Sequence, residues 1–159
     1  MQIQRFILLA LAFPLLTIFT APALAFEQVN KSYFSGVALG GYDAVSYFTE
    51  SSAVKGNEDY TIAWKEATWL FSSEANLELF RASPEVYAPS YGGYCSNQMS
   101  LGNLSDIDPH VWRIIDDKLY LFGHEEGRVR WTRATGQRIL DGDKYWRSYL
   151  DRNLKSLND

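Results

Sequence analysis

The chain has one cysteine, two histidines and two methionines among its 159 residues. A lone thiol, Cys95, makes no internal disulfide, so the fold stands on packing alone. The sequence has no glycine loop of the P-loop type, no helix carrying two metal-binding histidines and no serine nucleophile elbow. The common local signatures of phosphoryl transfer, metallopeptidase and serine-hydrolase chemistry are therefore missing, and enzyme activity is not expected. An excess of positive charge is missing too. The formal net charge is −4, which argues against nucleic acid or an anionic membrane surface as partner. The longest apolar run, residues 6–19, is interrupted by Pro14. It falls short of the roughly 20 residues that span a bilayer.

What the N-terminus does hold is a leader pattern. Arg5 precedes the apolar run, and Ala23-Leu24-Ala25 supplies the small-x-small ending that a signal peptidase accepts. Residues 1–25 are thus expected to be a cleaved signal peptide, with the cut between Ala25 and Phe26. The working molecule would be exported to a periplasm or the medium, with no membrane insertion after cleavage. All ten tyrosines and all five tryptophans fall after the leader. Such a load carries much apolar area into a small core.

A polar lead over 26–35 precedes Gly36 and the Gly40-Gly41 pair, where a tight turn is expected. Residues 44–48 alternate loosely and predict a short strand. Residues 60–64 and 68–71, β-branched and aromatic on both sides of a polar break, predict a β-hairpin. Ser72-Ser73 offers an N-cap for a helix that Ser83-Pro84 ends, and Pro84 opens a single further turn through Tyr87. The hairpin should lay its aromatic face on that helix. The stretch from Tyr91 to Pro109 lacks periodicity and reads as irregular. Residues 111–115 and 118–122, joined at Asp116-Asp117, predict a second hairpin. The tail to Leu154 predicts two helices broken near Gly136 or Asp141-Gly142, with Val129, Ile139, Trp146 and Leu150 facing the core. No internal repeat is evident. The expected class is α+β, a small domain with β-hairpins packed on short helices and a helical C-terminal tail.

Three stretches in order carry a resemblance: Leu39-Gly40-Gly41-Tyr42-Asp43-Ala44-Val45-Ser46-Tyr47-Phe48; Trp69-Leu70-Phe71-Ser72-Ser73-Glu74-Ala75-Asn76 with Pro84-Glu85-Val86-Tyr87-Ala88-Pro89; and Tyr91-Gly92-Gly93-Tyr94-Cys95. Together they resemble the YHS domain family in its secreted, single-domain bacterial form, over a domain expected at 36–154. The resemblance implies a compact α+β unit in which a hairpin packs on a short helix. It also implies metal handling, since relatives accompany copper-transporting ATPases. Its cysteine-rich relatives carry thiols at the strand end and early in the helix. Those places look like Ser72 and Asn76 here, so a multi-thiolate cage is absent.

Cys95, Met99, His110 and His124 are the soft and borderline donors of the chain, a set that suits copper. Cys95 also reads as a small buried hydrophobe, Met99 as a core filler and His124 as an exposed helix-start residue. Asp106, Asp108 and His110 would suit a harder ion; a turn in which the aspartates cap backbone amides explains them as well. The leading expectation is an exported, non-enzymatic copper-binding protein working with a metal transporter or another membrane or periplasmic protein. The alternative is an interaction module in which Tyr91, Gly92, Gly93 and Tyr94 form a face for a protein or small ligand, with no metal.

Overall fold

A computed structural model describes residues 27–156; the expected leader lies outside them. The class is α+β, as the patterning suggests. Two separate antiparallel hairpins are interleaved with helices. Among the described residues no helix is long and apolar enough to cross a membrane.

The first hairpin pairs β1 (Asn57–Trp64) with β2 (Ala67–Phe71), with Ile62 opposite Trp69. Its turn residues, Lys65 and Glu66, both have positive φ, +48° and +60°. That conformation matches the right-handed twist of the flanking strands. The 44–48 segment is a correction. It does not form a strand but leads into a helical turn, α1 (Ser46–Thr49). The Asp43 side chain accepts from the backbone N–H groups of Val45 at 2.8 Å and Ser46 at 3.3 Å, which bends the chain out of an extended course. Helix α2 (Glu74–Ala82) is capped by Ser73, whose side chain accepts from Asn76 N–H. It ends before the single turn α3 (Pro84–Tyr87). Phe80 on α2 is fully buried, with ring centroids 5.5, 5.1 and 5.0 Å from Trp64, Trp69 and Phe71. The aromatic face of the hairpin does lie on this helix.

A short helical turn, α4 (Ser96–Met99), lies within the stretch expected to be irregular. The second hairpin pairs β3 (Asp108–Ile115) with β4 (Lys118–Phe122), through Asp116 and Asp117 at φ +49° and +58°. Two helices follow, α5 (Glu125–Thr132) and α6 (Thr135–Ser156). The break, at Arg133 and Ala134, falls near Gly136 as expected, and α6 runs on through the other expected point, Asp141-Gly142. Val129 does not face the core but is 37% exposed, while Trp131 is fully buried. The cap at His124 sets the phase of α5 so that Gly127 and Trp131, four apart, turn inward together.

The structure also repeats itself where the sequence shows no repeat. One constant spacing carries Asn57, Thr61, Trp64, Ala67 and Phe71 onto Asp108, Trp112, Ile115, Lys118 and Phe122, with the same register and the same bulge. That spacing also carries the cap Ser73 onto His124, and buried Phe80 onto buried Trp131. Ahead of each hairpin stands a left-handed run of one residue and two glycines. Leu39, Gly40 and Gly41 have φ +51°, +61° and +82°; Tyr91, Gly92 and Gly93 have +57°, +61° and +85°. The described residues hold two copies of one supersecondary unit, followed by α6.

Strand β4 joins the two cores. Leu119 and Leu121 enter the cluster around Trp69, Phe71 and Phe80, while Tyr120 and Phe122 enter the cluster around Met99 and Trp131. Alternation sends successive side chains to opposite faces, and here both faces are covered. The polar lead is also part of the packed unit. Val29 is buried, and Asn30 N–H donates to Gly92 O at 2.8 Å.

Candidate functional site

Ser72 and Asn76 serve a carboxylate. Asp43 is fully buried, and its Oδ2 accepts from Ser72 N–H at 2.8 Å, Ser72 O–H at 2.7 Å and Asn76 Nδ2 at 2.7 Å. The start of the first unit is thereby tied to the strand end and the helix of the same unit. In the second unit the corresponding acceptor is Cys95. Its Sγ takes the N–H of Gly123, the residue matching Ser72, at 3.3 Å. Cys95 is buried and Met99 fully so, one helical turn apart in one apolar cluster.

The histidines are engaged elsewhere. His110 sits at the surface against Tyr42, with Nε2 3.2 Å from the phenol oxygen. Asp108 Oδ1 accepts from His110 N–H at 2.9 Å, a turn of the capping kind. His124 Nδ1 accepts from Gly127 N–H at 3.0 Å and lies 3.2 Å from Glu126. Among the described residues no three His, Cys, Asp or Glu side chains converge where they could hold a metal.

A concavity with polar groups in it lies where the two units meet α6. It is a cleft of about 290 Å³ whose walls include Trp64 and Trp69 from the first unit, Tyr91 and Tyr120 from the second, and Trp146 and Asp143 from α6. Tyr91 anchors it. Its ring is 6.0 Å from Tyr120 and 6.2 Å from Trp146, and its hydroxyl donates to Asp143 Oδ1 at 3.1 Å. Burial first, and then the Asp143 charge, push the Tyr91 phenol far above its ordinary value, so it stays a donor. Gly142 makes this approach possible, because a Cβ there would stand 2.7 Å from the Tyr91 hydroxyl oxygen. The other residues of the expected face are structural. A Cβ on Gly92 would meet Gln28 O at 1.9 Å, and Tyr94 donates to Glu27 O at 3.1 Å. Burial and then Glu27 raise the Tyr94 phenol to about 12.

No family model, curated protein or solved structure matches the chain.

Of the expected site residues, then, the structure brings Cys95 and Met99 into one cluster and Tyr91 and Gly92 onto one cleft. It leaves His110 and His124 on other duties. Sequence reading missed Asp43, which looks like an ordinary turn residue, and Asp143, which looks like a helix-surface charge. The available signal for Asp143 was a glycine inside a helical pattern, with Asp143 beside it and Trp146 three residues on. A mid-helix glycine costs about 1 kcal/mol against alanine and marks a close approach. That spacing also puts Asp143 and Trp146 on one helix face.

Proposed function

We propose that this protein is an exported, non-enzymatic binding module of the YHS type, and that its working site is the aromatic cleft between the two units and α6. The observation that carries this reading is the convergence of three tryptophans and two tyrosines around a carboxylate, from three separate parts of the chain. Concave sites that combine aromatic rings with convergent polar groups, at the meeting of two units, are where small ligands bind. The phenol of Tyr91 and the carboxylate of Asp143 supply orientation, and the rings supply area. Nothing in the cleft pairs a nucleophile with a base, so binding without turnover fits it best. The test is nuclear magnetic resonance with a set of small aromatic and amine fragments. Shifts should concentrate at the Trp64 and Trp146 indoles, and Trp146→Ala, checked for retained helix by circular dichroism, should weaken them. Fragments that shift nothing in the cleft would remove the reading.

A second reading, exported copper handling alongside a metal transporter or another membrane or periplasmic protein, is favoured by one observation. Cys95 and Met99, both soft donors, stand one helical turn apart in a water-excluded cluster. Anaerobic titration with Cu(I) against a competing chelator tests it. Equal affinity in the wild type and Cys95→Ser would sink it.

A further inference from the structure

Away from the cleft, two side chains stand clear of the packing. Tyr33 and Phe34 are 88% and 96% exposed, while every other exposed large hydrophobic among the described residues is at 65% or below. Neither belongs to a core cluster, and their rings meet edge to face with centroids 5.3 Å apart. The turn beneath them is closed by backbone bonds. Ser32 N–H donates to Val37 O at 2.9 Å and Gly36 N–H to Ser32 O at 2.8 Å. Gly36, at φ +67°, supplies the left-handed residue that brings the chain round. Thr68 N–H donates to Gly36 O and Ala38 N–H to Thr68 O, each at 2.9 Å, which fastens the turn to β2. At its foot the Lys31 ammonium donates to Glu66 O at 2.8 Å. The fold thus holds out a firm tip of two rings, flanked by the exposed Ser32 and Ser35.

We infer that this tip docks on a membrane, its two rings entering the headgroup layer of a zwitterionic bilayer. Size separates this occupant from a protein. Two rings bury about 300–500 Å² together, short of the roughly 800 Å² that each partner gives to a stable protein interface. The residues beside them are small and polar and add little. A bilayer sets no such threshold, because each ring partitions on its own account. Aromatic rings favour the layer between water and acyl chains, and the Tyr33 hydroxyl keeps a polar end for the wet side. Charge selects the lipid. Lys31 is held by Glu66 O and lies 3.7 Å from Glu27, Ser32 and Ser35 are neutral, and the chain is −4 overall, so nothing at the tip draws an anionic headgroup. Tyr33 also lies shortly after the expected cut between Ala25 and Phe26, so export brings this turn up to a bilayer. Two rings give reversible docking on the surface; they neither span nor anchor.

The test is nuclear magnetic resonance of the exported chain with phosphatidylcholine bicelles that carry a nitroxide lipid. Amide signals of residues 32–36 should broaden more than any others. Replacing both rings, Tyr33→Ser with Phe34→Ser, should leave the melting temperature unchanged, since they lie outside both cores, and should lower flotation with phosphatidylcholine vesicles about tenfold. Phe34→Trp should bind at least as tightly as the wild type, because tryptophan favours the same layer. Adding phosphatidylglycerol to the vesicles should leave binding unchanged or weaken it about twofold. No broadening at millimolar lipid, or broadening centred elsewhere on the chain, overturns the inference. Flotation that survives the loss of both rings, or that requires the anionic lipid, overturns it as well. Weaker binding by Phe34→Trp would indicate a shaped pocket on a protein, and a tip-dependent dimer in lipid-free sedimentation would make a second copy the occupant; either result overturns the membrane assignment.

Discussion

The two units share a backbone and differ in what closes it. In the first, Asp43 gathers five hydrogen bonds, from Val45, Ser46, Ser72 twice and Asn76. In the second, Cys95 accepts the matching N–H of Gly123 through a soft sulfur. Gly123 has no side chain to donate a second bond, and the surroundings of Cys95 are Met99, Phe122 and Trp131. A carboxylate is a good closing group where donors surround it and a costly one where rings do. The same turn is therefore held by polarity in one unit and by apolar packing in the other. The second unit gains its additional support from α6, and the cleft forms along that seam.

The largest test of the comparison is Asp43→Ala, which leaves several buried donors without partners. It should lower unfolding free energy by about 3 kcal/mol or more in urea titrations. Cys95→Ala removes one sulfur and one weak bond and should cost about 1 kcal/mol. Equal losses would mean the two positions do not differ as described. The matching glycines come next. Gly92→Ala adds a clash with Gln28 O to a left-handed backbone and should cost about 2–3 kcal/mol. At Gly40, where a Cβ would meet nothing within 4 Å, only the backbone term remains, about 1 kcal/mol.

The smallest effect concerns alkaline pH. Tyr94 titrates near 12 in the folded chain against an ordinary 10.0, so the folded state holds this proton more tightly. Its contribution is complete below pH 10 and is lost as pH rises toward 12. Tyr94→Phe should flatten the fall in melting temperature across that window; an unchanged fall would place its cause at other groups.

Both hairpins were legible because their signals are local: β-branched and aromatic residues in alternation, and a polar pair at each turn. Helix α2 was legible from Ser73 at its start and Pro84 beyond its end. The α1 turn was hidden because residues 44–47 are buried all round, so no period shows. What bends them is Asp43, whose other partners lie just after β2 and in α2. The repeat was hidden because each copy meets different neighbours. Gly-Gly-Tyr, the Leu-Phe pair closing each hairpin and the glutamate after each cap recur, while the core positions were refitted, Phe80 against Trp131. Tyr91 could be named as a candidate from its glycine-flanked segment. Asp143 and Trp146 could not be joined to it, because helical period tells which residues share a face of α6 but not which element that face meets.

The buried sulfur of Cys95 has one more consequence. It is the only thiol in the chain and is 3% exposed beneath the Gly123 amide. A thiol reagent reaches it only during moments when the second unit opens. Its rate of chemical labelling is therefore a clock for excursions of that half alone, and the first half, having no thiol, leaves the reading uncontaminated.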